Sequence, residues 1–165
     1  MLSGSATKIA QCFVGLDKRY LTNIDLTART STGDLEGEVV EQRAVPDQEE
    51  LWAGLARLHG DVELPIPAVS AVKIGGERAY KLARSGVEVE MPLRRSRVDA
   101  LEVITYTGEE VQLDLRVSSG TYVRAIADAL GGHCRTLRRT EIGPFSVDEA
   151  DPDRFMAADE ALARL

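Results

Sequence analysis

Tyr122 and Arg124 are the residues of this chain best placed to do chemistry, inside the run Ser118-Ser119-Gly120-Thr121-Tyr122-Val123-Arg124-Ala125-Ile126-Ala127-Asp128-Ala129-Leu130-Gly131. A guanidinium is planar and permanently charged, and it can hold a carboxylate through two parallel hydrogen bonds. Asp128 offers Arg124 a purely local use, an ion pair along one helix face worth only ~0.3–0.5 kcal/mol. Other cations gather apart from the acids: Lys73, Arg78, Lys81 and Arg84, then Arg94, Arg95 and Arg97, then Arg135, Arg138 and Arg139. Acid collects between Asp34 and Glu63 and again in Asp148-Glu149-Ala150-Asp151-Pro152-Asp153. A net charge of −7 speaks against a polyanionic partner, but phosphate affinity follows the local field rather than the sum. Solvated helix and strand faces produce the same clusters, so charge alone leaves nucleic-acid binding open. His59 and His133 have no partner placed by the sequence and read as structural or exposed. Cys12 and Cys134 match no metal spacing and read as two buried free thiols in a reduced cytosol.

The elements that must position these side chains follow from periodicity. Val111, Leu113, Leu115 and Val117 alternate with polar residues, which predicts a strand running into the Ser118-Ser119-Gly120 turn. Thr121 is the expected N-cap of the helix that carries Arg124. Upstream, Thr7–Val14 reads as a short helix capped by Ser5 or Thr7, and Leu16-Asp17-Lys18-Arg19 as a turn. A strand then puts Tyr20, Thr22, Ile24, Leu26 and Ala28 on one face. Thr30–Asp34 reads as a loop and Glu36–Glu41 as a second strand. Asp47 with Glu50 forms a capping box ahead of Leu51, Leu55 and Leu58 at helical spacing, and Gly60 ends that helix. Two prolines interrupt Leu64–Gly86; Gly75-Gly76 marks a turn and Glu77–Arg84 a short basic helix stopped by Gly86. Strands are expected at Val87–Leu93, Arg97–Tyr106 and His133–Arg139, then a turn and short strand at Ile142–Val147. A small tail helix runs through Met156, Leu162 and Leu165. At 165 residues the chain is expected to form one domain with its own core. No apolar run is long enough to span a bilayer, so no membrane partner is expected, and no signal peptide is visible.

The Gly120-Thr121-Tyr122-Val123-Arg124 run resembles a motif of the TruB-type RNA pseudouridine synthases, enzymes that isomerise uridine in the T-loop of tRNA. Three further stretches resemble the same family, in order: Ala6-Thr7-Lys8 with Leu16-Asp17-Lys18-Arg19-Tyr20, the block Pro67–Gly86, and Thr136-Leu137-Arg138-Arg139-Thr140 with Ile142-Gly143-Pro144-Phe145. The resemblance covers nearly the whole chain. It implies an α+β fold, a mixed and mostly antiparallel sheet with flanking helices, with a thumb-like insertion at about 64–90. It implies catalytic roles for Arg124, which pairs with the nucleophilic aspartate, and for Tyr20, which stacks on the flipped uracil. Tyr122 is expected to line the pocket and Leu137 to pack under the base. Lys73, Arg78, Lys81 and Arg84 on the thumb, with Arg138 and Arg139 on the strand, are expected to meet RNA phosphates. The implied partner is the tRNA T-arm, the implied location the cytoplasm, and no cofactor or metal is called for.

The chain departs from the family at two points. The Gly-x-x-Gly-Thr-Leu-Asp-Pro segment that supplies the nucleophile has no counterpart in these residues, and Leu130-Gly131-Gly132-His133 closes a connection that is longer in the family. There is also no room for the C-terminal RNA-binding extension of many members. Asp17, Asp25, Asp34 and Asp128 are accounted for by turns, strand surface or a helix pair, so Arg124 is expected to face an empty cationic pocket. The chain alone is expected to be inactive, either as an RNA-binding remnant or as half of a split enzyme. The sheet is expected to show an open edge, covered by self-association or by a partner chain.

Overall fold

The computed structural model describes residues 4–67, 69–70, 72–74, 77–78, 91–151 and 153–165. The expected first helix is two pieces, a 3-10 helix at Gly4–Ile9 and α1 (Gln11–Val14). The Thr7 hydroxyl bonds the Gly4 carbonyl at 2.8 Å, and Ala10 stands at the α1 N-cap with no side-chain bond, so neither Ser5 nor Thr7 caps it. β1 (Lys18–Asp25) and β2 (Ala28–Thr30) carry the anticipated alternation, with Thr22, Ile24, Leu26, Ala28 and Thr30 buried. Between them the Asp25 carboxylate accepts the Thr27 N–H and hydroxyl, at 2.9 and 2.6 Å, and bends the chain out of the sheet. β3 (Val39–Gln42) pairs back on β2. α2 (Gln48–Arg57) has the capping box: Glu50 N–H donates to Asp47 at 2.8 Å and Asp47 N–H to Glu50 at 3.2 Å.

β4 (Gly60–Pro65) was not anticipated. It is an edge strand, where a terminal proline costs no ladder bond. β5 (Lys73–Ile74) and β6 (Glu77–Arg78) form a small antiparallel hairpin, so Glu77 and Arg78 open a strand and not a basic helix. The rest of that helix, the Gly75-Gly76 turn and the strand expected from Val87 to Glu90 lie outside the described residues. β7 (Leu93–Tyr106) is one continuous strand, followed by β8 (Glu110–Val117), α3 (Val123–Ala129), β9 (His133–Ile142), β10 (Phe145–Ser146) and α4 (Ala158–Ala163). Met156 and Leu165 fall outside α4, and they and Leu162 are exposed.

Six strands form one sheet in the order β10-β9-β1-β8-β7-β4, with every pair antiparallel. One isolated parallel bridge joins Asp34 to Cys134. The chain is thus α+β, with a mostly antiparallel sheet and helices beside it. Ile24, Val98, Val111, Leu113, Leu115 and Val117 from the sheet meet Leu51, Leu55 and Leu58 and the α3 residues Val123, Ile126 and Ala127 in one core. Each leucine buried there contributes about 1.5–3 kcal/mol, which holds both helices to the same sheet face. The other face is polar: Arg19 forks Asp114 at 2.8 and 2.9 Å and reaches Glu141 at 3.0 Å. β10 covers only Glu141 and Ile142, so the outer edge of β9 from Arg135 to Thr140 is open among the described residues. No helix among those residues is long and apolar enough to cross a membrane.

Candidate active site

The turn between β8 and α3 is held from two sides. Ser118 N–H donates to the Arg97 carbonyl at 2.8 Å and its hydroxyl accepts Arg97 N–H at 2.9 Å, which ties it to β7. On the other side the Lys18 ammonium donates to the Val14 and Leu16 carbonyls, at 2.7 and 2.6 Å, and to the Ser119 hydroxyl at 3.1 Å. Ser119 itself donates to the Val14 carbonyl at 2.5 Å. Burial, and next the charge of Arg139, lower the Lys18 pKa; Asp17 opposes them. Gly120 takes φ +81°, the left-handed region that favours glycine. Thr121 does not cap α3, because its hydroxyl lies 3.3 Å from that of Ser118; the N-cap is Tyr122, with no side-chain bond.

Arg124 does not face an empty pocket. Its Nη1 donates to Asp34 Oδ2 at 3.1 Å and to the Thr32 carbonyl at 2.9 Å, and its Nη2 to the Val69 carbonyl at 3.0 Å. Nor does it pair with Asp128, whose carboxylate is taken by Arg29 at 2.7 Å. Asp34 is aimed by its own loop: its Oδ1 accepts the Thr32 hydroxyl and the Glu36 N–H, and its carbonyl accepts the Thr30 hydroxyl. Cys134 N–H donates to the Gly33 carbonyl at 2.9 Å and docks the loop on β9. Arg124 and Asp34 keep only 21% and 29% of their side chains exposed, so this charge-assisted bond is partly desolvated. Arg124 Nε has no partner among the described residues. The Nε–Nη2 edge is the one a carboxylate grips with two bonds, as Arg19 shows with Asp114 in this same chain.

The other anticipated residues divide by face. Opposite residues in the β1–β9 register are Tyr20 with Arg139, Leu21 with Arg138 and Thr22 with Leu137. Tyr20, Leu137 and Arg139 therefore share the face that carries α3, whereas Arg138 lies on the polar face. Tyr20 packs half-buried against the core, and Leu137 is 45% exposed beside it, which leaves an apolar surface open to a ligand. Lys73 and Arg78 are register partners in the β5–β6 hairpin, and Lys81 and Arg84 lie outside the described residues. Cys134 is buried and Cys12 exposed, against the expectation of two buried thiols. Burial pushes the Cys134 thiol up to about 11. His133 is buried with Nδ1 2.8 Å from the Ala28 carbonyl, and His59 is exposed, as anticipated. Asp34, Thr32, Val69, Lys18 and Ser119 were not anticipated as parts of the site. The only sequence signal for Asp34 is the hydroxyl-rich loop that folds around it.

A family model described as TruB family pseudouridylate synthase (N terminal domain) matches residues 1–123. The tRNA pseudouridine synthase B of Mycobacterium sp. (strain KMS) is 41% identical over 170 residues, covering 96% of this chain and 57% of that protein. That of Corynebacterium glutamicum is 39% identical over 178 residues, with 96% and 60% covered. Among solved structures, a chain in the crystal structure of a Cbf5-Nop10-Gar1 complex superposes with a TM-score of 0.60 at 24% identity, covering 87% of this chain and 35% of that one. That likeness speaks for the fold alone. The chain spans just over half the length of the curated relatives it matches.

Proposed function

The chain belongs to the TruB family of pseudouridylate synthases, and from that premise we propose that it supplies the arginine side of a site that isomerises uridine in the T-loop of tRNA. The observation that carries this is Arg124, held by Asp34 and the Thr32 and Val69 carbonyls, with Nε alone on its Nε–Nη2 edge left without a described partner. A nucleophilic carboxylate arriving at that edge would be kept ionised and aimed by a two-bond fork. Tyr20 gives the flipped uracil a ring to stack on, worth ~1–3 kcal/mol, and Leu137 packs against the base from the adjacent strand. Tyr122, at the mouth of the turn, lines the pocket. The C1′–N1 bond breaks, the base turns, C5 joins C1′, and the proton lost from C5 is replaced by one gained at N1. Bonds and protons balance with no redox partner. Lys73, Arg78, Lys81, Arg84 and Arg139 are proposed to meet phosphates of the T-arm, Arg138 being turned to the other face of the sheet, and a tRNA substrate implies activity in the cytoplasm.

These 165 residues hold no Gly-Thr-Leu-Asp-Pro run. The chain alone is therefore expected to release no tritium from C5-labelled uridine in tRNA. Turnover is expected once that segment is fused or added in trans, and Arg124→Ala then abolishes it, while Arg124→Lys loses most of it with the fork. Tritium release by the unmodified chain would place the nucleophile elsewhere. No release with the segment, while the stem-loop RNA still binds, would leave an RNA-binding protein without turnover.

A further inference from the structure

We propose that Arg94 is a phosphodiester-binding residue at the mouth of the site, seated on Gly120. This rests on the RNA-directed function proposed above and adds a residue that the family motifs did not bring forward. Along β7 the side chains alternate, and Ser96 and Val98 are buried on the face that carries the helices. Arg94 belongs to that same face, whereas Arg95 and Arg97 belong to the other. The two sets differ in charge balance. Arg95 is paired with Glu63 at 2.8 Å and Arg97 with Asp99 at 2.7 Å. Arg94 has no ion pair and no side-chain hydrogen bond among the described residues, although it is exposed.

Its position is nevertheless specific. A Cβ on Gly120 would lie 2.2 Å from Arg94 Nη2, 2.7 Å from Cζ and 3.1 Å from Nε. The guanidinium thus occupies the space that the missing side chain leaves open, against a turn already tied to β7 and to Lys18. Contact with the turn leaves its N–H donors without a partner among the described residues, which is how an anion seat differs from an ion pair. Arg124 lies four positions beyond Gly120, at most ~14 Å of chain. An anion held by Arg94 lies within a few nucleotides of a base standing over Arg124. Arg124 itself is neutralised by Asp34, so Arg94 is a cation that this face keeps for a ligand. A polyanion with regularly spaced phosphates, RNA, is the ligand that would use both positions at once.

The test uses the 165-residue chain and a T-arm stem-loop RNA, with binding followed by fluorescence anisotropy across a salt series. Arg94→Gln is expected to weaken binding about three- to tenfold and to lower the slope of log Kd against log salt by about one phosphate contact. Arg95→Gln, one residue away but already paired, is expected to change neither. Arg94→Lys is expected to keep the slope and lose part of the affinity. Salt-dependent binding by the unmodified chain that Arg94→Gln leaves unaltered, or that Arg95→Gln weakens equally, overturns the seat and leaves the proposed function standing. No binding by the unmodified chain overturns both. Amide spectra of each variant establish that it is folded.

Discussion

At the scale of single residues, Arg124 and Asp34 decide the character of the site. A guanidinium this far from water without a carboxylate would be costly, and Asp34 removes most of that cost before any nucleophile arrives. Asp34→Ala is expected to destabilise the chain by about 2 kcal/mol in urea denaturation, since a partly buried charge loses its partner. Asp34→Asn, which keeps an acceptor, is expected to cost less than half of that. Equal losses from both would mean that packing in the loop, not charge, is what Asp34 supplies. Cys134 makes a separate prediction. Its thiol holds its proton up to about 11 in the folded chain against 9.0 ordinarily. Between those values the unfolded chain has lost a proton that the folded chain keeps, so stability present below pH 9 falls as pH rises toward 11. The loss approaches roughly 3 kcal/mol, and Cys134→Ala is expected to flatten that alkaline limb. Under native conditions an alkylating reagent should modify Cys12 and spare Cys134; simultaneous labelling of both would contradict the burial.

At the scale of elements, the loop from Ser31 to Gly37 is what carries Asp34 to Arg124. Its closure depends on Gly37, where a Cβ would fall 2.4 Å from Thr32 Oγ1 and 2.6 Å from Thr32 N. Gly37→Ala must push Thr32 away, and Thr32 holds Asp34 through its hydroxyl and Arg124 through its carbonyl. The substitution is expected to cost about 2 kcal/mol or more and to shift the Arg124 side-chain N–H signals in NMR spectra; unaltered signals would show that the loop does not govern the arginine. Nothing local in the sequence reveals this arrangement. β1, β8 and α2 were legible because their periodicity and capping box are properties of a few neighbouring residues. The pairing of Asp34 with Arg124 spans 90 positions and exists only after the loop docks on β9 through Cys134. The misread caps have a similar origin. Thr121 and Thr7 are good capping residues by type, but Thr121 is drawn to Ser118 and Thr7 to Gly4. β4 escaped notice because Pro65 at its end and Pro67 just beyond argue against a central strand and say little about an edge. Arg138 and Arg139 read alike as neighbours in sequence, and only the register separates them onto opposite faces.

At the scale of the whole molecule, the edge of β9 left open among the described residues is the feature with most consequence for assembly. An uncovered strand is a template for pairing with another chain. The stretch from Arg135 to Thr140 carries Arg138 and Arg139 with no ion pair among the described residues, and the exposed Leu137 beside them. A second copy docking antiparallel with Arg138 opposite the copy's Arg139 would set like charges facing each other across strands, which is destabilising. The repulsion is a surface effect and therefore screened, with a Debye length of about 10 Å at 0.1 M salt falling to about 3 Å at 1 M. Self-association through β9 is thus expected to be weak in dilute buffer and to strengthen as salt is raised, the reverse of what an interface held by ion pairs would do. Light scattering over a salt series checks the sign, and replacing Arg138 and Arg139 by serine should bring the dilute-buffer mass up to the high-salt value. A mass that falls with salt would assign association to another, ionic surface. A different occupant, a chain bringing the nucleophile segment, would relieve the edge without that repulsion. In its presence the alternate outward amides of Arg135–Thr140 should pass from fast to slow hydrogen exchange and the salt-driven association should disappear, because one strand cannot pair with both.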